Sequence, residues 1–257
     1  MEPQDRFSLA GKTALILGGS SGIGRAIAEG YQTAGARVIA VGKTAAKVEA
    51  TVAQLQRTDP RASGHVCDVA DSEQLSRLIA TVIAQSQGVD ILVNSQGITI
   101  LKPAETFTRN DYDTLIAINL TSVFFACTEV GRHMLERGRG AIINIASLAA
   151  YRGFPLSAIY TISKHGVLAL TETLATEWAT RGVRVNGIAP GFFLTDLNRD
   201  KMSTERKEVA LRRTPMHRFG ELSELVGAAI YLVSGAASYV TGETIRVDGG
   251  FLAAGLD

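Results

Sequence analysis

Tyr160 and Lys164 stand four residues apart in the run Tyr160-Thr161-Ile162-Ser163-Lys164. On a helix that spacing puts the phenol and the ammonium on one face, about 5–6 Å apart at Cβ. A free tyrosine titrates near pH 10, and bringing it to neutrality requires roughly 4 kcal/mol of differential stabilisation. One positive charge about 4 Å away supplies a similar amount at an effective dielectric near 20. Such a pair could exchange a proton with a substrate oxygen. Taken alone the pairing is common and uninformative, as is an isolated serine such as Ser147. Position gives them weight: Ser147 closes the apolar run Ala141–Ala146, and parallel α/β sheets place their ligand crevice at strand ends. Near the start, Gly18-Gly19-Ser20-Ser21-Gly22-Ile23-Gly24 joins an apolar run to a helical pattern. Glycines 18, 22 and 24 allow a tight turn and close approach to a pyrophosphate, which the positive end of the next helix would face. The spacing is GxxxGxG, not GxGxxG, so the strand-to-helix setting carries more weight than the glycines themselves.

Seven short apolar runs supply strands for these residues: Thr13–Leu17, Arg37–Val41, His65–Cys67, Ile91–Asn94, Ala141–Ala146, Arg184–Ala189 and Thr244–Val247. Helical patterns fall between most of them, over Ile23–Ala34, Ala45–Thr58, Ser72–Ser86, Asp111–Arg137, Tyr160–Arg181 and Glu221–Ser234. Apolar strands alternating with helices predict an α/β fold, a doubly wound parallel sheet covered on both faces. No linker, repeat or low-complexity tract divides the chain, so residues 1–257 are read as a single domain.

Lys and Arg number 26 against 25 Asp and Glu, leaving a net charge of +1. That balance offers no field to recruit nucleic acid or an anionic membrane. Residues Met1–Phe7 lack the apolar core of a signal peptide, and Leu225–Gly242, the longest uncharged stretch, reads as a buried helix and turn. Cys67 and Cys127 have neither CxxC nor metal-ligand spacing and read as reduced buried thiols, which fits a cytoplasmic setting. His65, His133, His165 and His217 share no ligand spacing, so no metal site is expected.

Over nearly its whole length the chain resembles the short-chain dehydrogenase/reductase family. The glycine motif falls on Gly18, Gly22, Ile23 and Gly24, and the family's asparagine, serine, tyrosine and lysine fall on Asn119, Ser147, Tyr160 and Lys164 in the right order. Cys67-Asp68-Val69, Pro190-Gly191 with Thr195, and Val247-Asp248-Gly249-Gly250 also match. There are two departures: Leu17 replaces the usual threonine, and Asn94-Ser95-Gln96-Gly97 replaces Asn-Asn-Ala-Gly. Gln96 is much bulkier than alanine, so packing beside the nicotinamide is expected to differ.

The resemblance implies a Rossmann fold and NAD(P)-dependent hydride transfer between nicotinamide and a ketone or secondary alcohol. Tyr160 would be the acid/base, Ser147 would hydrogen-bond the reacting oxygen, and Asn119 would hold a water linking Lys164 to a proton relay. Lys164 would also grip the nicotinamide ribose. Ser20, Ser21, Val69, Asn94, Gly97, Pro190 and Gly191 join the expected cofactor contacts, with Asp68 at the adenine and Thr195 at the carboxamide. A homotetramer is implied, pairing the helices Asp111–Arg137 and Tyr160–Arg181 across a twofold axis. The stretch from Arg213 to Gly250 is similar to gluconate 5-dehydrogenase-like members of a sugar-acid branch, through Thr214-Pro215-Met216 and Arg218-Phe219-Gly220. That branch often carries two arginines where this chain has Ile100 and Leu101, and an apolar pair cannot hold a carboxylate by bidentate contacts. A 3-oxoacyl-carrier-protein reductase-like ketoreductase is an alternative, and a non-catalytic dinucleotide sensor or scaffold is another. Phe154, Phe192 and Phe193 are candidates for apolar lining. The segment Phe192–Arg213, with its charge-rich stretch Asn198–Arg213, is expected to form a mobile substrate lid.

Cofactor choice is read from the end of the second strand, where an acid would hold the adenosine ribose and repel a 2′-phosphate. Here the corner is Gly42-Lys43-Thr44, with a cation and no acid. The expectation is NADP(H), with NAD(H) possible, and a preference depending on Lys43.

Overall fold

A computed structural model describes residues 3–195 and 202–254. Its strands and helices alternate: β1 (Thr13–Leu17), α1 (Gly22–Thr33), β2 (Arg37–Gly42), α2 (Ala45–Leu55), β3 (Ser63–Val66), α3 (Ser72–Gln85), β4 (Ile91–Asn94), α4 (Arg109–Ile116), α5 (Ser122–Glu136), β5 (Gly140–Ile145), α6 (Ala158–Trp178), β6 (Val183–Pro190), α7 (Thr204–Arg213), α8 (Val226–Val233) and β7 (Thr244–Val247). The strands form one seven-stranded sheet in the order β3-β2-β1-β4-β5-β6-β7, and every pairing is parallel.

Side chains alternate across the sheet with the period of two that strands impose. Leu15, Leu17, Ile39, Val41 and Leu92 face a layer that includes Leu75, Ile79, Val123 and Val130. Ala14, Ile16, Val38, Ala40, Ile91 and Val93 face Ile27, Tyr31, Leu225 and Ala229. Both faces of the central strands are therefore dry, which is why β1, β4 and β5 read as apolar runs. From β1 the chain builds outward through β2 and β3, then returns to add β4 on the other side. The reversal opens a crevice at the carboxyl ends of β1 and β4, the topological switch point of a doubly wound sheet.

The pattern expected as one helix over Asp111–Arg137 is three pieces: α4, a π-helical turn over Ala117–Thr121, and α5. By length and composition Arg109–Glu136 is apolar enough to cross a membrane, with mean hydropathy 1.5 in its richest window. Its Val123, Ala126, Cys127 and Val130 nonetheless pack into the core beneath the sheet. The third strand begins at Ser63, two residues earlier than expected. Of the expected lid, residues 196–201 lie outside the described residues, and the remainder contains α7, capped by Ser203 through its bond from the Arg206 amide.

Candidate active site

Gly18 follows β1 with φ +76, a left-handed conformation that strains any residue with a Cβ. A Cβ there would stand 2.7 Å from the Gln96 amide nitrogen, and one on Gly24 would stand 2.2 Å from the Gly18 carbonyl. The two glycines let the turn lie flat against the end of β4. Helix α1 begins here with no side-chain cap from Ser21 and no acid in its first turn. Its N-terminal amides and dipole are left to an external anion, a fit for a dinucleotide pyrophosphate.

A cleft of about 430 Å³ runs from this turn across the strand ends. Gly18, Ser21, Gly22, Ile23, Lys43, Asp68 and Val69 line one end, and Gly97, Ser147, Tyr160, Lys164, Pro190, Gly191 and Thr195 line the middle. Thr195 faces the glycine turn, 3.5 Å from where a Gly22 Cβ would lie. Most of the residues anticipated from sequence are thus brought together; Ser20, Gly24, Asn94 and Asn119 are not in the wall. Ser20 is buried beneath Gly42, its Oγ occupying the space that a Gly42 Cβ would need. Asn94 is a brace below the cleft, its Nδ2 donating to Asn144 Oδ1 on β5 at 2.8 Å and lying 3.2 Å from Cys127 Sγ.

Asn119 is fully buried on the π-helical turn. Its Oδ1 accepts from the Ile98 amide at 2.8 Å, and its Nδ2 donates to the Ile98 carbonyl at 2.9 Å and to Ser163 Oγ at 3.3 Å. The side chain is therefore committed to fixing the segment after β4 against α6. Gly97 beside it leaves room between Asn119 and Lys164: a Cβ there would lie 3.5 Å from Asn119 Oδ1 and 3.8 Å from Lys164 Nζ.

The first turn of α6 carries Tyr160 and the next carries Lys164, as the spacing required. Lys164 is buried, donates to the Ile145 carbonyl at 2.7 Å, and lies 5.8 Å from the centroid of the Tyr160 ring. Burial pulls its pKa down to about 8. Ser147 lies two residues beyond β5 and accepts from the Ala149 amide at 3.2 Å. Burial pushes the Tyr160 phenol up, and its hydrogen bond with Ser147 pulls the other way. In this state desolvation wins, and Tyr160 is a protonated acid.

Gln96, the bulky departure, is buried in the cleft wall and donates from Nε2 to Ser122 Oγ at 3.0 Å, tying the end of β4 to the start of α5. Lys43 is held by Asp68 at 2.6 Å. His217 has φ +48 and its Nδ1 lies 3.3 Å from the Leu211 carbonyl, away from the cleft. At the far end Phe154 and Phe192 line the wall and meet Phe251 at ring distances of 6.1 and 5.2 Å. Phe193 lines it too, as do Leu101, Met202 and Arg206; the last two were not anticipated. Lys102, next to Leu101, is turned away into an ion pair with Asp111 and lies 5.2 Å from the Phe107 ring centroid.

A glycine turn at an uncapped helix, beside a phenol, a hydroxyl and a buried ammonium, defines a dinucleotide-dependent oxidoreductase. A family model of short-chain dehydrogenases described as enoyl-(acyl carrier protein) reductase matches residues 18–252. The chain belongs to the short-chain dehydrogenase/reductase family, NAD(P)-dependent enzymes acting on CH–OH and C=O groups. It is 42% identical over 245 residues to a D-threitol dehydrogenase of Mycolicibacterium smegmatis, covering 95% of this chain and 94% of that one. It is 39% identical over 251 residues to a gluconate 5-dehydrogenase of Gluconobacter oxydans, covering 97% and 98%. Among solved structures, a gluconate 5-dehydrogenase of Burkholderia cenocepacia J2315 in complex with NADP and tartrate superposes with a TM-score of 0.94 at 38% identity, covering 98% of this chain and 99% of that one.

Proposed function

We propose that this chain interconverts a ketone and a secondary alcohol on a sugar acid or polyol, using NADP(H) in preference to NAD(H). The observation that carries the reading is the convergence of Ser147, Tyr160 and Lys164 on the cleft that begins at the glycine turn. The relatives named for gluconate and threitol, and the NADP held by a structural neighbour, support the choice of substrate and cofactor.

When bound, the nicotinamide supplies or accepts the hydride. In the reductive direction Tyr160 gives its proton to the carbonyl oxygen, while Ser147 donates a hydrogen bond that offsets developing alkoxide charge. The tyrosinate left behind is held by Lys164 across the α6 turn and is refilled from solvent. Asn119 keeps this geometry by tying Ile98 to Ser163, and its π-helical turn is where a relay water would be held. Gly18, Ser21, Gly22, Ile23 and the α1 amides would hold the cofactor's phosphates, with Gly24 permitting the close turn. Asp68 and Val69 would hold the adenine, Lys43 would meet a 2′-phosphate, and Gly97, Pro190, Gly191 and Thr195 would hold the nicotinamide. Ser20 and Asn94 act from beneath, by packing and bracing. We read the chain as one domain that works in the cytoplasm as a homotetramer.

The test is a panel of aldonates, polyols and their keto forms assayed with both cofactors by nicotinamide absorbance. Turnover of panel members, faster with NADP(H), is the expected result; no hydride transfer with any member would overturn the reading.

A further inference from the structure

We infer that Arg206 is the anchor for an anionic group on the substrate, so the preferred substrate is an aldonate or ketoaldonate and not a neutral polyol. The inference rests on the reading above and adds the charge of the substrate.

Among the described residues three cations line the cleft, Lys43, Lys164 and Arg206. Lys43 is paired with Asp68 at 2.6 Å, and Lys164 is bonded to the Ile145 carbonyl at 2.7 Å. Among the described residues no carboxylate stands within ion-pair distance of the Arg206 guanidinium. The helix register accounts for this. Acids one turn away would neutralise an arginine on α7, but the positions three and four residues from Arg206 are Met202, Ser203, Val209 and Ala210. Glu205 and Glu208 fall on other faces and are exposed.

Arg206 is half-buried beside Met202, in a wall that also contains Phe154, Phe192 and Leu101. A guanidinium in such a wall lacks the solvation of a surface arginine, and a carboxylate accepting two parallel N–H bonds replaces what is lost. Among the described residues of the lining Asp68 is the only acid, and it is already paired. The apolar pair Ile100 and Leu101, with Lys102 drawn to Asp111, leaves recognition of a carboxylate to another part of the lining. Arg206 stands there, on the helix that follows the cofactor-facing turn at Pro190–Gly191.

The cofactor's own phosphates are the other anion Arg206 could meet, and the experiment separates the two. D-gluconate and D-glucitol differ at C1, carboxylate against hydroxymethyl. Steady-state kinetics on both, in the parent and in Arg206→Gln and Arg206→Lys, would be accompanied by titration of NADPH and by titration of D-gluconate into the enzyme–NADPH complex. The parent should favour gluconate. Arg206→Gln should lose about 30-fold or more in kcat/KM for gluconate, chiefly through KM, and at least tenfold in gluconate affinity, while glucitol turnover and NADPH affinity stay within about twofold. Arg206→Lys should recover part of the loss. Equal losses on both substrates, a loss confined to NADPH affinity, or a parent that turns over glucitol without binding gluconate would overturn the inference. The last outcome would leave the hydride-transfer reading standing, whereas no turnover of any panel member would remove that reading itself.

Discussion

Lys43 Nζ lies 2.6 Å from Asp68 Oδ2, joining the end of β2 to the loop after β3. The bond holds the Asp68 carboxyl below its ordinary range. Lys43 is 72% exposed, so the pair contributes little to stability, and its consequence is for cofactor choice. A 2′-phosphate must share the ammonium with Asp68, which predicts a modest preference for NADP. Lys43→Ala should lower kcat/KM for NADP by about tenfold and leave NAD within about threefold. Asp68→Asn should weaken both cofactors, yet raise the ratio of NADP to NAD, because the lysine is released. Cofactor kinetics on the two variants check this, and an unchanged ratio in either contradicts it.

The pH dependence follows from the two buried groups of α6. Reduction needs Tyr160 protonated and Lys164 charged. With the phenol pushed up and the ammonium pulled down to about 8, kcat/KM for reduction should be level on the acid side and fall as pH rises through about 8. Oxidation needs the tyrosinate, whose pKa burial pushes above the ordinary value, and should climb with pH at the alkaline end. Paired profiles in both directions check the sign; a reductive rate that rises with pH contradicts it.

Lys164 also carries a stability cost. The folded chain gives up this proton near pH 8 and the unfolded chain near 10.5, so between those values the unfolded state binds more protons and stability rises with pH. Below about 8 the whole cost, about 3 kcal/mol, is present. Lys164→Met should abolish turnover yet stabilise the cofactor-free protein at pH 7 by about 1–3 kcal/mol, less than the full cost because the bond to the Ile145 carbonyl is lost. Urea denaturation with and without the substitution measures this, and a destabilised variant counts against it.

Assembly is predicted at the faces of α5 and α6. Phe124 and Phe125 are 44% and 42% exposed, and Ile162 is 54% exposed. These large apolar groups lie on the two helices that the family resemblance pairs across a twofold axis. Sedimentation should give a tetramer at micromolar concentration, and Phe124→Asp should shift it to smaller species. A parent that sediments as a monomer contradicts the assembly.

Much of this was legible in the sequence because strands buried on both faces are written as apolar runs: β1 and β4 end where the runs end. Tyr160, Lys164 and Ser147 could be placed because a helix spacing and a strand terminus fix positions locally. Contacts between distant segments were not legible. Lys43 and Asp68 were each assigned to the cofactor, but their pairing depends on the register of β2 against β3. Ser20 belonged to the right loop, but the closeness of Gly42 sends its hydroxyl inward. The π-helical turn at Asn119 leaves no mark in apolar periodicity, and the helical order of α7 was hidden because its positions are mostly polar and its buried contact is Ala210.

The central claim is that Tyr160 is the proton carrier in a hydride transfer. The direct measurement is single-turnover oxidation of NADPH with a keto substrate from the panel, in the parent and in Tyr160→Phe, with NADPH affinity determined for both. The account predicts a rate lower by about 10²–10⁴-fold in the variant, with affinity within about threefold. A Tyr160→Phe enzyme that binds NADPH and turns over within tenfold of the parent would contradict it.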